Sequence, residues 1–318
     1  MINYVIRRVL IGIVIIVVVT IMIFLAMRLL PGDPLTLYIS LNKMGDMGPE
    51  QVEELRHKFG LDKSLPEQYV DWIGGVFTGN FGHSIYYDLR VELLIAQRLP
   101  VTMYLGFLSL FFSGILGVLA GVICALRRGT WIDTLVTFLA NIGITVPTFW
   151  AGIILIYFLA YKAGLLPVYG YTSPFEDFWL STRQVIMPVI CLALFPLASI
   201  CRQTRASMLE VVQQDYIRTA WAKGLGERII IMRHTVKNAM IPVITAMGLH
   251  VGVFFGGSVL IETVFNIPGI GRLMTQSLFQ QDFQVVQAGA LIIAVAVIFT
   301  NILVDISYGW LDPRIRYD

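Results

Sequence analysis

The sequence predicts an all-α integral membrane protein with about six transmembrane helices, and three observations carry that class. Apolar residues fill 57% of the 318 positions while charged residues fill only 14%. Mean hydropathy is +0.75. The apolar residues also gather into runs near the ~20 residues that a helix needs to cross a bilayer, longer than a soluble core helix requires.

Taken in order, the first run covers Val9 to Leu30 behind Arg7 and Arg8. It resembles a secretory leader but is too long and lacks a small-residue cleavage site, so it is expected to remain as a helix in a segment 1–30. Residues 31–98 form a long polar interlude. Within it "GPEQVEELRHKFGL" reads as a short amphipathic helix with Val52, Leu55 and Phe59 on one side. "LPEQYVDWIGGVFTGNFGHS" sets aromatics on a glycine-rich frame, too ordered for a linker and suited to a cap over the bundle. The remaining spans are Val101–Leu126, Asp133–Tyr161, Val185–Cys201, Ala239–Ile261 and Val285–Tyr308, inside a core of residues 99–310 that a tail of 311–318 follows. Pro147, Pro188, Pro196 and Pro242 interrupt these spans, and a kink there is tolerable where protein or a cavity receives the freed carbonyl.

Orientation follows from the basic residues. With a cytoplasmic N-terminus, the cytoplasmic side receives Arg7, Arg8, Arg127, Arg128, the set from Arg202 to Lys237, and Arg314 with Arg316. The two short outside loops then hold only Arg183 and Arg272, with Lys162 at the very edge of its span, as the positive-inside rule asks, and segments as long as 31–98 count little in it. Both termini are therefore expected in the cytoplasm, and residues 205–237 become the longest cytoplasmic loop.

That loop reads as a helix from Arg205 to Lys223, with Leu209, Val212, Tyr216 and Ala220 on one face and Glu210, Gln214 and Arg218 on another. Gly224 stops it, Gly226 allows a second change of direction, and Glu227 suits the start of the next helix. Arg205 lies outside this corner, and its loss is expected to be mild.

Inside the spans, Gly248, Gly252 and Gly256 form one small-residue ladder and Ser113, Gly117 and Gly121 another, each permitting close helix approach. His250, Phe254 and Asn141 are candidates for lining a pathway, whereas Asp305, four residues after Asn301, is better explained by an interhelical hydrogen bond. Cys124, Cys191 and Cys201 all fall in apolar stretches and read as small buried hydrophobes. No metal-ligand spacing and no catalytic constellation stands out, and no GxxxxGK[ST] loop occurs, so no catalytic residue and no metal or cofactor site is assigned to the chain.

"RTAWAKGLGER" followed by "RHTVKNAMIPVIT" resembles the cytoplasmic coupling loop of ABC importer permeases. "RLLPGDP", "RRGTWID", "ITVPTFW", "ETVFNIPGIGRL" and the terminal "LDPRIR" extend the resemblance nearly end to end, toward the B-type subunits of the oligopeptide, dipeptide and nickel family. It implies a type I importer permease fold in which Arg218, Thr219, Ala220, Ala222, Lys223, Gly224, Leu225, Gly226, Glu227 and Arg228 meet a groove on an ATPase. The general motif begins with Glu where this chain has Arg218, and the small residues Ala220 and Gly224 carry over as the close-approach positions. The implied partners are a second, related permease, two ATPase subunits that bind ATP and Mg, and a solute-binding protein that docks on the extracytoplasmic segment. The implied setting is the lipid of a prokaryotic inner membrane, with no nucleic acid involved. Short peptides are the expected cargo, and nickel or glutathione-like solutes the alternative. An ion-coupled secondary transporter would need acidic or histidine relays deep in the spans, where only His250 and the peripheral Asp305 stand. A receptor or assembly scaffold would need none.

Overall fold

The computed structural model describes residues 2–29, 49–58 and 62–311. The motif "RLLPGDP", Phe59 and the tail 312–318 lie wholly or largely outside them. Apart from one small hairpin, the regular structure among the described residues is helical. In chain order the elements are α1 (Ile2–Leu29), α2 (Pro49–Lys58), α3 (Leu65–Phe77), β1 (His83–Ser84), β2 (Leu89–Arg90), α4 (Val91–Leu126), α5 (Trp131–Thr145) and α6 (Thr148–Leu155). They continue with α7 (Phe178–Val212), α8 (Asp215–Ala222), α9 (Glu227–Ile229), α10 (Lys237–Val264), α11 (Ile270–Phe279) and α12 (Phe283–Leu311). Single π-helical segments, Ile156–Lys162 and Ile230–Val236, follow α6 and α9. Five helical stretches are long and apolar enough to cross a membrane, and six if the bent pair α5–α6 counts as one.

The chain divides into two compact units. One comprises Leu10–Thr102 and Pro268–Ile298. Here α3 starts at Ser64, whose backbone N–H and Oγ both donate to Glu67 Oε2, at 3.0 and 2.9 Å, so the Glu67 side chain reaches back over the helix start. Its Tyr69 and Trp72 hold α1 through the buried Phe24, at ring distances of 5.5 and 6.3 Å. The hairpin pairs His83 with Arg90 in antiparallel register and is tied down by the fully buried Asp282, which accepts from Ser84 Oγ and the Tyr86 N–H. Burial pushes that carboxyl above the usual carboxylate range, and the two hydrogen bonds pull against it. Val91, Leu94, Ile95, Ile270, Leu273, Val285 and Ala288 make the core. The helix α11 falls where only a short loop was expected. Its first N–H is satisfied by Thr102 Oγ1 at 2.8 Å.

The other unit comprises Met1–Val9, Met103–Ile267 and Phe299–Asp318. In it α4 and α7 cross at glycine. A Cβ on Gly117 would stand 2.9 Å from Leu197 O, and one on Gly121 would stand 2.6 Å from Cys201 O, so both must lack side chains. Buried Ser113 sits one turn earlier and donates to Leu110 O at 3.1 Å. The fifth-span ladder divides: a Cβ on Gly248 would strike Val304, Gly252 is half-buried, and Gly256 is exposed with nothing within 4 Å. Gly256 is therefore no packing position among the described residues. Arg8 pairs with Asp305 at 2.9 Å, and Tyr4 Oη donates to Asp305 O at 3.2 Å, so Asp305 makes an interhelical contact as expected, through an ion pair with α1. All three cysteines are free and buried.

Two expected elements are corrected. The third span is broken: α5 and the α6 segment meet at 105° across Val146 and Pro147, because Pro147 withholds a donor and its ring keeps Val146 extended, at φ −73° and ψ 123°. The fourth is a 35-residue helix that continues through both Pro188 and Pro196.

Candidate functional site

The corner that the loop pattern anticipated is formed by α8, α9 and the turn between them. The helix read from Arg205 to Lys223 is two helices. The first, α7, ends at Val212, and Gln213 and Gln214 turn the chain before α8 begins at Asp215. That break rotates the buried face. Ile217, Ala220 and Ile230 are buried together, with Val211 and Leu225 against them, whereas Val212 and Tyr216 are exposed. Tyr216 Oη instead accepts from Asn238 Nδ2 at 3.0 Å.

The turn is a complete Schellman motif. The Gly224 N–H donates to Trp221 O at 2.9 Å and the Leu225 N–H to Ala220 O at 3.4 Å. Gly224 takes φ +73°, the left-handed region that a side chain resists. Gly226 returns to φ −64° and ψ 143° as the N-cap of α9, so Glu227 stands in the first turn of that helix. The stop of α8 is therefore closed by backbone hydrogen bonds. Arg218, Thr219, Ala222, Lys223, Gly224, Gly226, Glu227 and Arg228 are left exposed, with Leu225 half-buried. Ala220 is the exception among the expected contacts. It is 6% exposed and faces its own chain, so it supports the corner from inside and cannot be a close-approach position. Trp221 and Ile229, each 49% exposed beside this polar rim, were not singled out from sequence. A tryptophan in so polar a stretch was the available signal.

Behind the corner, Arg205 is far from neutral. Its Nε and Nη2 reach Asp133 Oδ1 and Oδ2 at 2.7 and 2.8 Å, a bidentate pair. Asp133, with 7% of its side chain exposed, also accepts from the Gly129 N–H at 3.1 Å. The start of α5 is thereby fastened to the half of α7 that leads into the corner, and the expectation that Arg205 matters little is overturned by this geometry.

The pathway candidates separate. Asn141 lines an open concavity of about 520 Å³ between α5 and α7, with Thr137, Phe195, Ser199 and Arg202. His250 is buried edge-on to Phe195, ring centroids 5.7 Å apart. Phe254 is buried against Gly106, where a Cβ would meet its ring at 2.6 Å. Two of the three are thus packed inside the chain, and Asn141 alone lies on the open wall.

Comparison with known proteins agrees along the length. Residues 117–317 match the family model for the binding-protein-dependent transport system inner membrane component, and residues 1–106 match the N-terminal model of the same systems' membrane components. The chain is 40% identical over 315 residues to the "Probable peptide ABC transporter permease protein y4tP" of Sinorhizobium fredii, covering 99% of each. It is 38% identical to the di/tripeptide transport system permease protein DppB of Pseudomonas aeruginosa, covering 94% of each. Among solved structures, the MetNI methionine ABC transporter in inward-facing form superposes with a TM-score of 0.57 at 18% identity, over 69% of this chain and 97% of that one. An amino acid ABC transporter does so with a TM-score of 0.50 at 17% identity, over 68% and 94%. With its apolar spans and its exposed helical corner, the chain belongs to the binding-protein-dependent transport system inner membrane components and is a multi-pass ABC importer permease.

Proposed function

We propose that this permease forms, with a second related subunit, the pathway by which short peptides released from an extracytoplasmic binding protein cross the inner membrane, and that ATP is hydrolysed on two separate ATPase subunits. The α8–α9 corner carries this reading. A motif whose helix stop is closed by its own backbone and whose core is its own leaves Arg218, Trp221, Lys223, Glu227 and Arg228 displayed to a partner. The corner lies on the cytoplasmic side in the positive-inside arrangement, with both termini there as well. Closure of the ATPases would move the corner as a lever, and the Asp133–Arg205 clamp joins that lever to α5, which carries Asn141 on the wall of the concavity. Peptides are favoured as cargo because relatives 38–40% identical carry that name. The test is ATPase activity stimulated by loaded binding protein in reconstituted complexes, with the cargo identified from the copurified binding protein. Trp221→Ala and Lys223→Ala should insert normally and lose stimulation. Full stimulation and full ATPase binding in both would remove the corner from the coupling path.

A further inference from the structure

A second concave site lies in the other unit, apart from the corner and from the pathway wall. It is a cavity of about 250 Å³ where α1 ends, walled by Phe24 and Arg28 of α1, Asp71 and Trp72 of α3, Asn80 of the following turn, and Gln284 and Gln287 of α12. We infer that it holds the phosphodiester of a membrane phospholipid headgroup.

The donors point to an oxyanion. Arg28 stacks on the Phe24 ring at 5.3 Å and meets no carboxylate among the described residues. The cavity's own acid, Asp71, is already bound by Lys63 at 2.6 Å, so the local balance among the described residues is positive. Gln287 is nine-tenths buried, and its Nε2 has no acceptor among the described residues. A buried amide donor without a partner is held at a loss unless something supplies the acceptor. Gln284 is fixed beside it, because its Oε1 accepts from the His83 N–H at 2.8 Å and stands where a Cβ on Gly82 would be, 2.6 Å away.

The position selects the source of that oxyanion. Along α1, Met22, Leu25 and Leu29 are exposed apolar residues, as on a lipid-facing helix, and Arg28 stands in its last turn. Beside it α3 has no buried residue and exposes Leu65, Val70 and Phe77 while Tyr69 and Trp72 face α1. An amphipathic helix with aromatics at the end of an apolar span is the arrangement of the headgroup layer. A guanidinium and an amide lining one cavity there match a phosphodiester with acyl chains along α1.

Native mass spectrometry of the full-length chain in detergent, titrated with palmitoyl-oleoyl phosphatidylglycerol, should show one phospholipid retained. Arg28→Gln and Gln287→Leu should each weaken it by about tenfold or more, the loss of one strong hydrogen bond. Arg183→Gln, which removes a cation elsewhere, should not change it, and palmitoyl-oleoyl glycerol, which lacks the phosphate, should not compete. Photolabelling the unsubstituted chain with a phosphatidylglycerol carrying a diazirine near its glycerol tests the site independently of any variant's folding, and label should concentrate in residues 65–82. Unchanged retention in both variants, label spread evenly over the spans, or displacement of the lipid by trialanine would each overturn the assignment, the last by naming a peptide carboxylate as the oxyanion.

Discussion

Asp133 shows how much a single side chain can constrain. A carboxylate so buried needs a fixed cation, and Arg205 meets it with both nitrogens of one edge of its guanidinium. Arg205→Gln would leave the carboxylate uncompensated. Removing one partner of a buried pair costs about 3–5 kcal/mol, and the lower end applies because Arg205 keeps 32% of its side chain exposed. Thermal unfolding in detergent should show that loss, and Asp133→Asn combined with Arg205→Gln should recover part of it, whereas simple additivity of the two would dismiss the coupling. The glycines make a second contrast at this scale. Gly121→Ala forces a methyl onto Cys201 O and should destabilise the chain by about 1–3 kcal/mol. Gly256→Ala, with open space around it, should leave the isolated chain at least as stable. Equal unfolding midpoints for the two variants would contradict the crossing described here.

At the scale of elements, the corner is a device for presenting a short helix without borrowing stability from whatever it touches. Gly224→Val places a β-branched residue at φ +73° and should unravel the Schellman turn. Ala220→Arg should drive a charge into the Ile217–Ile230 core, so its damage should appear as faster proteolysis between α8 and α9 even in the permease alone. If proteolysis were unchanged, Ala220 would have to face outward. The turn glycines were legible because a helix stop at positive φ is a local requirement that sequence displays directly. The face of α8 was not, since it depends on a break at Gln213 and Gln214, neither of which is a breaker by type. Pro147 likewise announced a kink but not its 105°, which depends on the packing that receives it. Residues 270–279 were passed over because a ten-residue amphipathic helix is too short to stand out between long apolar runs.

For the whole molecule, sidedness makes a sharp prediction. In the arrangement proposed from the basic residues, the corner is cytoplasmic and α3 lies outside. Phe77 is 85% exposed at the end of α3, and Gly226 has open space and an ordinary φ, so either accepts cysteine without strain. Phe77→Cys should react with an impermeant maleimide in cells whose inner membrane is intact, and Gly226→Cys only after that membrane is permeabilised. The opposite pattern would invert the arrangement and place the corner out of reach of any cytoplasmic ATPase. That experiment needs no prior removal of native thiols, because Cys124, Cys191 and Cys201 are the chain's whole complement and all three are buried. The unsubstituted protein is accordingly its own blank: it should stay dark to maleimide while folded, and the rate at which it brightens on warming becomes a clock for the opening of α4 and α7.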